Sequence, residues 1–401
     1  MNDMHMLTHA LALAAVVAAF GAPAHAETIS LPQGEANVES IAKFANPWAL
    51  AFLPDGRLLV TEKPGNLYIF AEGKLFNPIA GVPKVEYKDQ GGLLDVTVDP
   101  DFANNKFVYL SYSERADEQP EDAQEEKDAR LGDYQDLSDN VLKGMAVARG
   151  RLEGDRLEDV KVIWRQVPKT IGRGHFGARL AFAPDGKLFI TSGDRQRFEP
   201  AQDMASNLGK VVRINPDGLV PDDNPFVGKD GALPEIWTLG HRNELGAAIN
   251  PASGELWIHE MGPKGGDEVN IVVRGKNYGW PQVSEGAHYD DQDIPDHKTK
   301  PEFATPAYSW NPSISPAGLM FYTGDKFPAW KGKAMLGGLS SEALIVLTLN
   351  GDKVVSDDVI KMGRRIRDVA QAPDGSVLLL VDGESGGDLL RLTPSGRAAQ
   401  R

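Results

Sequence analysis

The chain has 401 residues, with 42 glycines, 27 prolines, no cysteine and a formal net charge of −15. That glycine and proline content favours many short strands and turns over long helices. The negative balance argues against nucleic acid or an anionic membrane as partner. The missing cysteines weaken thiol chemistry and suit an enzyme exported without disulfides.

Residues 10–20 (ALALAAVVAAF) form an apolar run too short to span a bilayer. An Ala-His-Ala site ending at Ala26 follows. Residues 1–26 read as a secretory signal peptide and 27–401 as one exported domain, expected in the periplasm. The n-region departs from the usual pattern, since it carries Asp3, His5 and His9 but no Lys or Arg. Met6 is an alternative start. No other long apolar run occurs, so no membrane span is expected.

One pattern then recurs: apolar strand, Pro-Asp-Gly or a similar turn, apolar strand. It reads WALAFLPDGRLLVTE (48–62), LLDVTVDPDFANNKFVYLSYS (93–113), ARLAFAPDGKLFITSGD (178–194) and LGAAINPASGELWIHE (245–260). It returns weakly as AGLMFYTGDKFPAWKGKAMLGGL (317–339) and clearly as RDVAQAPDGSVLLLVDG (367–383). Further strands with polar turns follow most copies. Six copies predict an all-β six-bladed β-propeller of four-stranded antiparallel blades. Residues 114–140 break the pattern with eleven acids against three bases, and are expected to be a solvated insertion. Residues 284–306 are a second polar loop.

In an antiparallel hairpin, residues before the first strand and after the second lie at one end. The repeat therefore gathers Asp89-Gln90, Arg173-Gly174-His175, Asp194, Arg242-Asn243, Arg364, Arg365, Arg367 and Asp382 on one face. The stretch 239–281 adds Glu260–Pro263, Asp267 and Glu268 to the same edge. Such an edge suits an anionic or quinonoid ligand together with a hard cation. His175, in the glycine-rich GRGHFGAR, is placed to remove a hydroxyl proton, with Asp194 fixing its tautomer. The alternative is a histidine satisfied by loop carbonyls. Arg365 and Arg367 alternate with Ile366, so both guanidiniums should point one way. With Arg242 they call for an anionic partner, and cofactor carboxylates suit their planar fork. Arg364 is the one expected to be structural, paired with Asp368 or Asp267. No G-x-G-x-x-G, G-x-S-x-G or H-E-x-x-H motif with the required context is present.

The stretches Gly-His-Arg-Asn (240–243), Gly-Pro-Lys-Gly-Gly-Asp-Glu-Val-Asn (262–270), Asn-Tyr-Gly-Trp-Pro (277–281) and Arg-Arg-Ile-Arg-Asp (364–368) resemble the soluble quinoprotein sugar dehydrogenases. The resemblance is to their periplasmic aldose sugar dehydrogenase group and runs roughly from Glu39 to Pro394. It implies a propeller that binds pyrroloquinoline quinone (PQQ) and calcium. It implies His175 as general base oriented by Asp194, and PQQ contacts from Gln90, Arg242, Asn243, Arg365 and Arg367. It implies calcium at the carbonyls of Gly262 and Pro263, and a second, structural calcium at Glu268 and Tyr278. Two departures stand out. The glucose dehydrogenase branch has a PQQ-contacting Lys where Leu339-Ser340-Ser341 stands here, and its N-G-G-R run is Phe-Gly-Ala-Arg (176–179).

The activity so implied is oxidation of an aldose at C1 to a lactone, with electrons passed to an external acceptor by a monomer or dimer. Two rivals remain. A calcium-dependent propeller lactonase would need axial Glu, Asn and Asp around a metal. A non-catalytic ligand-binding propeller would keep the fold alone.

Overall fold

The computed structural model describes residues 27–124, 136–383 and 386–396. The expected signal peptide and residues 125–135 of the acidic insertion lie outside the described residues.

Three of the repeats close on the same turn, and its chemistry explains why they do. In each Pro-Asp-Gly, the aspartate carboxylate accepts the backbone N–H two residues on: Asp55 from Arg57, Asp185 from Lys187, Asp374 from Ser376. The glycine takes a positive φ of 77° to 88° that a side chain would resist. Each turn thereby locks the register of the two strands it joins.

These hairpins are the inner halves of six sheets. The innermost strands are Pro47–Phe52, Leu93–Val98, Gly177–Phe182, Glu244–Ile249, Pro316–Phe321 and Arg365–Gln371. Each touches the next, and the last returns to the first, so six antiparallel blades close around an axis. The predicted six-bladed propeller is the fold. Numbering the blades in this order, five have four strands. Blade six has five, because Glu27–Leu31 and Gly34–Phe44 pair outside its last strand, Gly387–Pro394. The two ends of the domain thus meet in one sheet.

Second strands such as Leu58–Glu62, Leu188–Ser192, Leu256–Glu260 and Ala334–Gly338 bury every residue, because a blade packs on either face. The outermost strand of blade five, Lys353–Lys361, is largely exposed. The apolar clusters lie between neighbouring blades, as where Trp257 and Val269 of blade four meet Phe321, Leu336 and Ile345 of blade five.

Each innermost strand also carries a register irregularity, in every blade toward the start of the strand. A bulge there turns side chains off the regular pleat just where the strands enter the face that gathers the candidate residues. Below that face Arg179 ties the axis together. It pairs with Asp95 (3.1 Å) and Asp368 (3.2 Å), donates to the Leu245 carbonyl and stacks over Trp48 at 4.2 Å. Four neighbouring blades and the axial aspartates are held by one guanidinium.

The acidic insertion is only partly the solvated loop expected of it. Asp117, Glu118, Glu121 and Asp122 are exposed, but Asp136, Asp139 and Asn140 are buried. Asp139 pairs with Lys143 and accepts the Gly172 N–H, and Asp136 accepts the Arg173 N–H. The end of the insertion is therefore a buttress for the loop that carries His175.

Candidate active site

A cavity of about 290 Å3 opens on the face where the innermost strands begin. Residues before first strands line it (Asp89, Gln90, Phe176, Asn243, Ser315), as do residues after second strands (Lys63, Met261, Leu339). Arg365, Arg367 and Trp48 complete it. The hairpin argument made from sequence predicts such a collection.

His175 stands at the edge of this cavity, immediately before Phe176 and Gly177 of its wall. Its φ of 49° is left-handed, and its backbone N–H is held by the Gln90 side-chain oxygen at 2.8 Å. Its Nδ1 lies 2.7 Å from Asp194 Oδ1. An ionised carboxylate can only accept, so Nδ1 carries the proton and Nε2 keeps its lone pair. Burial pushes the imidazole below its ordinary value, Arg242 adds to that, and Asp194 opposes it. Burial would raise the Asp194 carboxyl, but His175, Arg242 and the Gln196 N–H together hold it below the usual carboxylate value. The other Asp194 oxygen accepts from the Trp280 indole at 2.7 Å. His175, Asp194 and Trp280 thus form a buried chain that holds a neutral imidazole in one tautomer. Trp280 was missed from sequence, because nothing local links it to an acid 86 positions away.

Arg242 is buried beside them, its backbone carbonyl accepting the Asp194 N–H. One guanidinium nitrogen donates to the carbonyls of Met261 (2.9 Å) and Gly262 (2.8 Å), the other to the Tyr289 hydroxyl (3.1 Å). Its Nε is buried without a partner. Asn243 accepts the Gly177 N–H and lines the cavity.

On the opposite wall Arg365 and Arg367 converge as the alternation predicts, and both grip Asp382, at 3.0 and 2.8 Å. Arg364 is structural, but with a different partner from those expected: it meets Glu27 at 3.1 Å. Asp368 is taken by Arg179 and the Leu50 N–H, and Asp267 by the N–H groups of Gly262, Ile314 and Ser315. Asp267 is a loop clamp.

The metal candidates divide. Neither Gly262 nor Pro263 lines the cavity: the Gly262 carbonyl accepts from Arg242 and borders a separate void, and Pro263 is buried. Glu268 borders the same void, of about 10 Å3, with Glu260, Gly262 and Tyr278 on its walls. The Tyr278 hydroxyl is turned away, between the Val273 N–H and the Ile271 carbonyl, and its backbone oxygen lies 3.0 Å from His297 Nε2. Burial, and then Glu260, push the Glu268 carboxyl well above its usual value. Asn270, which donates to both glutamates, has its own side-chain oxygen buried and unpartnered. Two carboxyl groups on a void of one water's size, bridged by an amide whose oxygen is orphaned, suit a hard, oxygen-seeking cation, although Arg242 also borders the void. Among the described residues no three His, Asp or Glu side chains converge as a ligand set. Carbonyl oxygens would have to complete it.

The family model described as glucose/sorbosone dehydrogenase matches residues 44–391. The chain belongs to the glucose/sorbosone dehydrogenase family. It is 42% identical over 367 residues to the aldose sugar dehydrogenase YliI of Escherichia coli K12, covering 89% of this chain and 93% of that protein. A crystal structure of a glucose dehydrogenase superposes with a TM-score of 0.81 at 43% identity, covering 89% of this chain and 99% of the other. The PQQ-bound form of an aldose sugar dehydrogenase from Streptomyces coelicolor superposes at 0.67 with 25% identity, covering 91% and 99%. This member of the glucose/sorbosone dehydrogenase family is an oxidoreductase of the sugar dehydrogenase class. No helix among its described residues is long and apolar enough to cross a membrane.

Proposed function

We propose that the protein oxidises aldose sugars at C1 to lactones, with PQQ bound in the axial cavity and calcium beside it, and passes the electrons to an external acceptor in the periplasm. The observation that carries this reading is a buried, carboxylate-oriented histidine next in sequence to Phe176 and Gly177 of a cavity that Arg365 and Arg367 also line. PQQ, a planar quinone with three carboxylates, would supply the hydride acceptor, and calcium would polarise it as a Lewis acid. The residues present fit both groups: Arg365 and Arg367 as carboxylate forks, Gln90 and Asn243 as polar edges, and the Gly262 carbonyl as an oxygen donor to the metal.

His175 Nε2 takes the proton of the C1 hydroxyl as the C–H electron pair leaves the sugar. Asp194 stabilises the imidazolium so formed and keeps its ring aligned, while Trp280 keeps Asp194 in place. Arg242, buried beside them, would stabilise negative charge that develops on the acceptor. Burial excludes water from the proton transfer.

The lactonase alternative loses support from the axis, where Asp95 and Asp368 are occupied by Arg179. The deciding experiment compares purified protein with PQQ, with calcium, with both and with neither. Dye-linked oxidation of an aldose should need both. Full activity with PQQ in a calcium chelator would remove the metal from the reading, and no activity under any condition would leave a binding propeller.

A further inference from the structure

The cationic wall holds more charge than the two arginines account for. Lys63 directly follows Leu58–Glu62, the second strand of blade one, and lines the same cavity as Arg365 and Arg367. Its ammonium donates to the backbone carbonyl of Asp89 at 2.9 Å and stands over the Tyr87 ring at 5.7 Å. Among the described residues no carboxylate forms an ion pair with it. The Asp89 carboxylate is turned toward Arg173, at 3.0 Å, and the Asp382 carboxylate is shared by Arg365 and Arg367. Three cations thus line the cavity with Asp89, whose carboxylate is committed to Arg173, and Asp382 behind them is shared by two of the three. Burial, and next the charge of Arg367, depress the Lys63 ammonium, while Asp382 and Asp89 only partly offset them. Like charges gathered in a half-buried site are costly unless an anion joins them. Leu339, at the place of the lysine that the resemblance to glucose dehydrogenases implies, lines this cavity too and brings no charge.

We infer that Lys63 is a cofactor-binding residue whose ammonium takes a carboxylate of a planar aromatic polycarboxylate seated in the cavity, alongside Arg365 and Arg367. The inference rests on the proposed cofactor reading and deepens it. An arginine pair that already shares one acid has limited capacity left, and a lysine on a flexible stem adds a point charge that can follow the ligand.

The test uses binding without sugar, read by quenching of tryptophan fluorescence, since Trp48 lines the cavity. Wild type, Lys63→Met and Lys63→Arg are each titrated with PQQ and with its trimethyl ester. Lys63→Met should bind PQQ on the order of tenfold to a hundredfold more weakly. Lys63→Arg should keep most of the affinity, and the ester should bind wild type and Lys63→Met alike. Equal PQQ affinity in wild type and Lys63→Met overturns the inference and leaves the cofactor reading standing. A wild type that does not bind PQQ overturns that reading and the inference with it. A lysine that only tethers the Asp89 loop would weaken ester and acid equally when lost, and that outcome also refutes the role. The Lys63 carbonyl that accepts the Leu93 N–H belongs to the backbone, so the fold should survive. If Lys63→Met melts early, Lys63→Gln takes its place.

Discussion

The two walls of the cavity are built on opposite electrostatic plans. On the His175 side the acids are taken by close partners: Asp194 by His175 and the Trp280 indole, Asp89 by Arg173, Asp139 by Lys143, while Arg242 is held by carbonyls and the Tyr289 hydroxyl. On the Arg367 side cations outnumber acids, and Asp382 serves two guanidiniums at once. A wall whose acids are already taken, with Arg242 as its one cation lacking an acid partner among those named, can specialise in handling one proton and the charge that develops with it. An unsaturated wall gains its missing partner only on binding. The contrast separates rate from affinity, and substitutions can probe the two apart.

The largest effect is expected from His175→Ala. Removing a general base costs roughly 10²–10⁴ in rate. Single-turnover reduction of bound PQQ by an aldose, followed by absorbance, should show that loss at unchanged cofactor occupancy. Equal rates would assign the two walls wrongly. Next come Arg367→Ala and Arg365→Ala, which should weaken PQQ on the order of tenfold or more while the rate at saturating PQQ moves less. Arg367 should matter more, because its side chain is 14% exposed against 45% for Arg365. Titration of apo-protein with PQQ settles the order.

Asp194→Asn should cost less rate than loss of His175 and should also move the pH profile. Asp194 raises the His175 pKa against the effect of burial. Loss of the carboxylate charge should therefore shift the acid limb of kcat/KM to lower pH, further in the direction in which burial already moves His175. A limb that moves upward would contradict the assigned electrostatics.

The smallest effect concerns stability. Glu244 lies beneath the His175 wall, fully buried, with neither carboxyl oxygen hydrogen-bonded. Burial, and then Glu260, hold its pKa well above the ordinary 4.5. The native state therefore keeps a proton that the unfolded chain releases above pH 4.5, so stability falls as pH climbs from there toward the native pKa. Glu244→Gln removes that penalty but leaves a buried polar group, so the gain should be small. A rise in Tm of about 2 °C at pH 7 is expected, with none near pH 4. Equal shifts at both pH values would exclude a charge effect.

The inner hairpins could be read from sequence because each is local: a short turn, Pro-Asp-Gly in three of the six, between two apolar runs. The gathering of Gln90, His175, Asn243 and Arg367 on one face follows from repeating that hairpin six times. What escaped the reading depends on distance along the chain. Trp280 reaches Asp194, Lys63 stands beside Arg367, and Asp136 buttresses Arg173 only once separate blades and loops are packed together. The buried end of the acidic insertion escaped for another reason. Its composition is that of a solvated loop, and only the cations of the His175 loop and Lys143 make burying those acids affordable.

The last blade has a consequence for how the molecule comes into being. Its sheet needs Gly34–Phe44 from one end of the domain and Gly387–Pro394 from the other. Until the final residues are available, the first strands have no sheet to join, and the ring stays open with two raw edges. Contacts of such sequence separation form late and slowly. A chain threaded through a membrane from its N-terminus would thus emerge unable to close prematurely, and would become a finished ring only after its whole length had crossed.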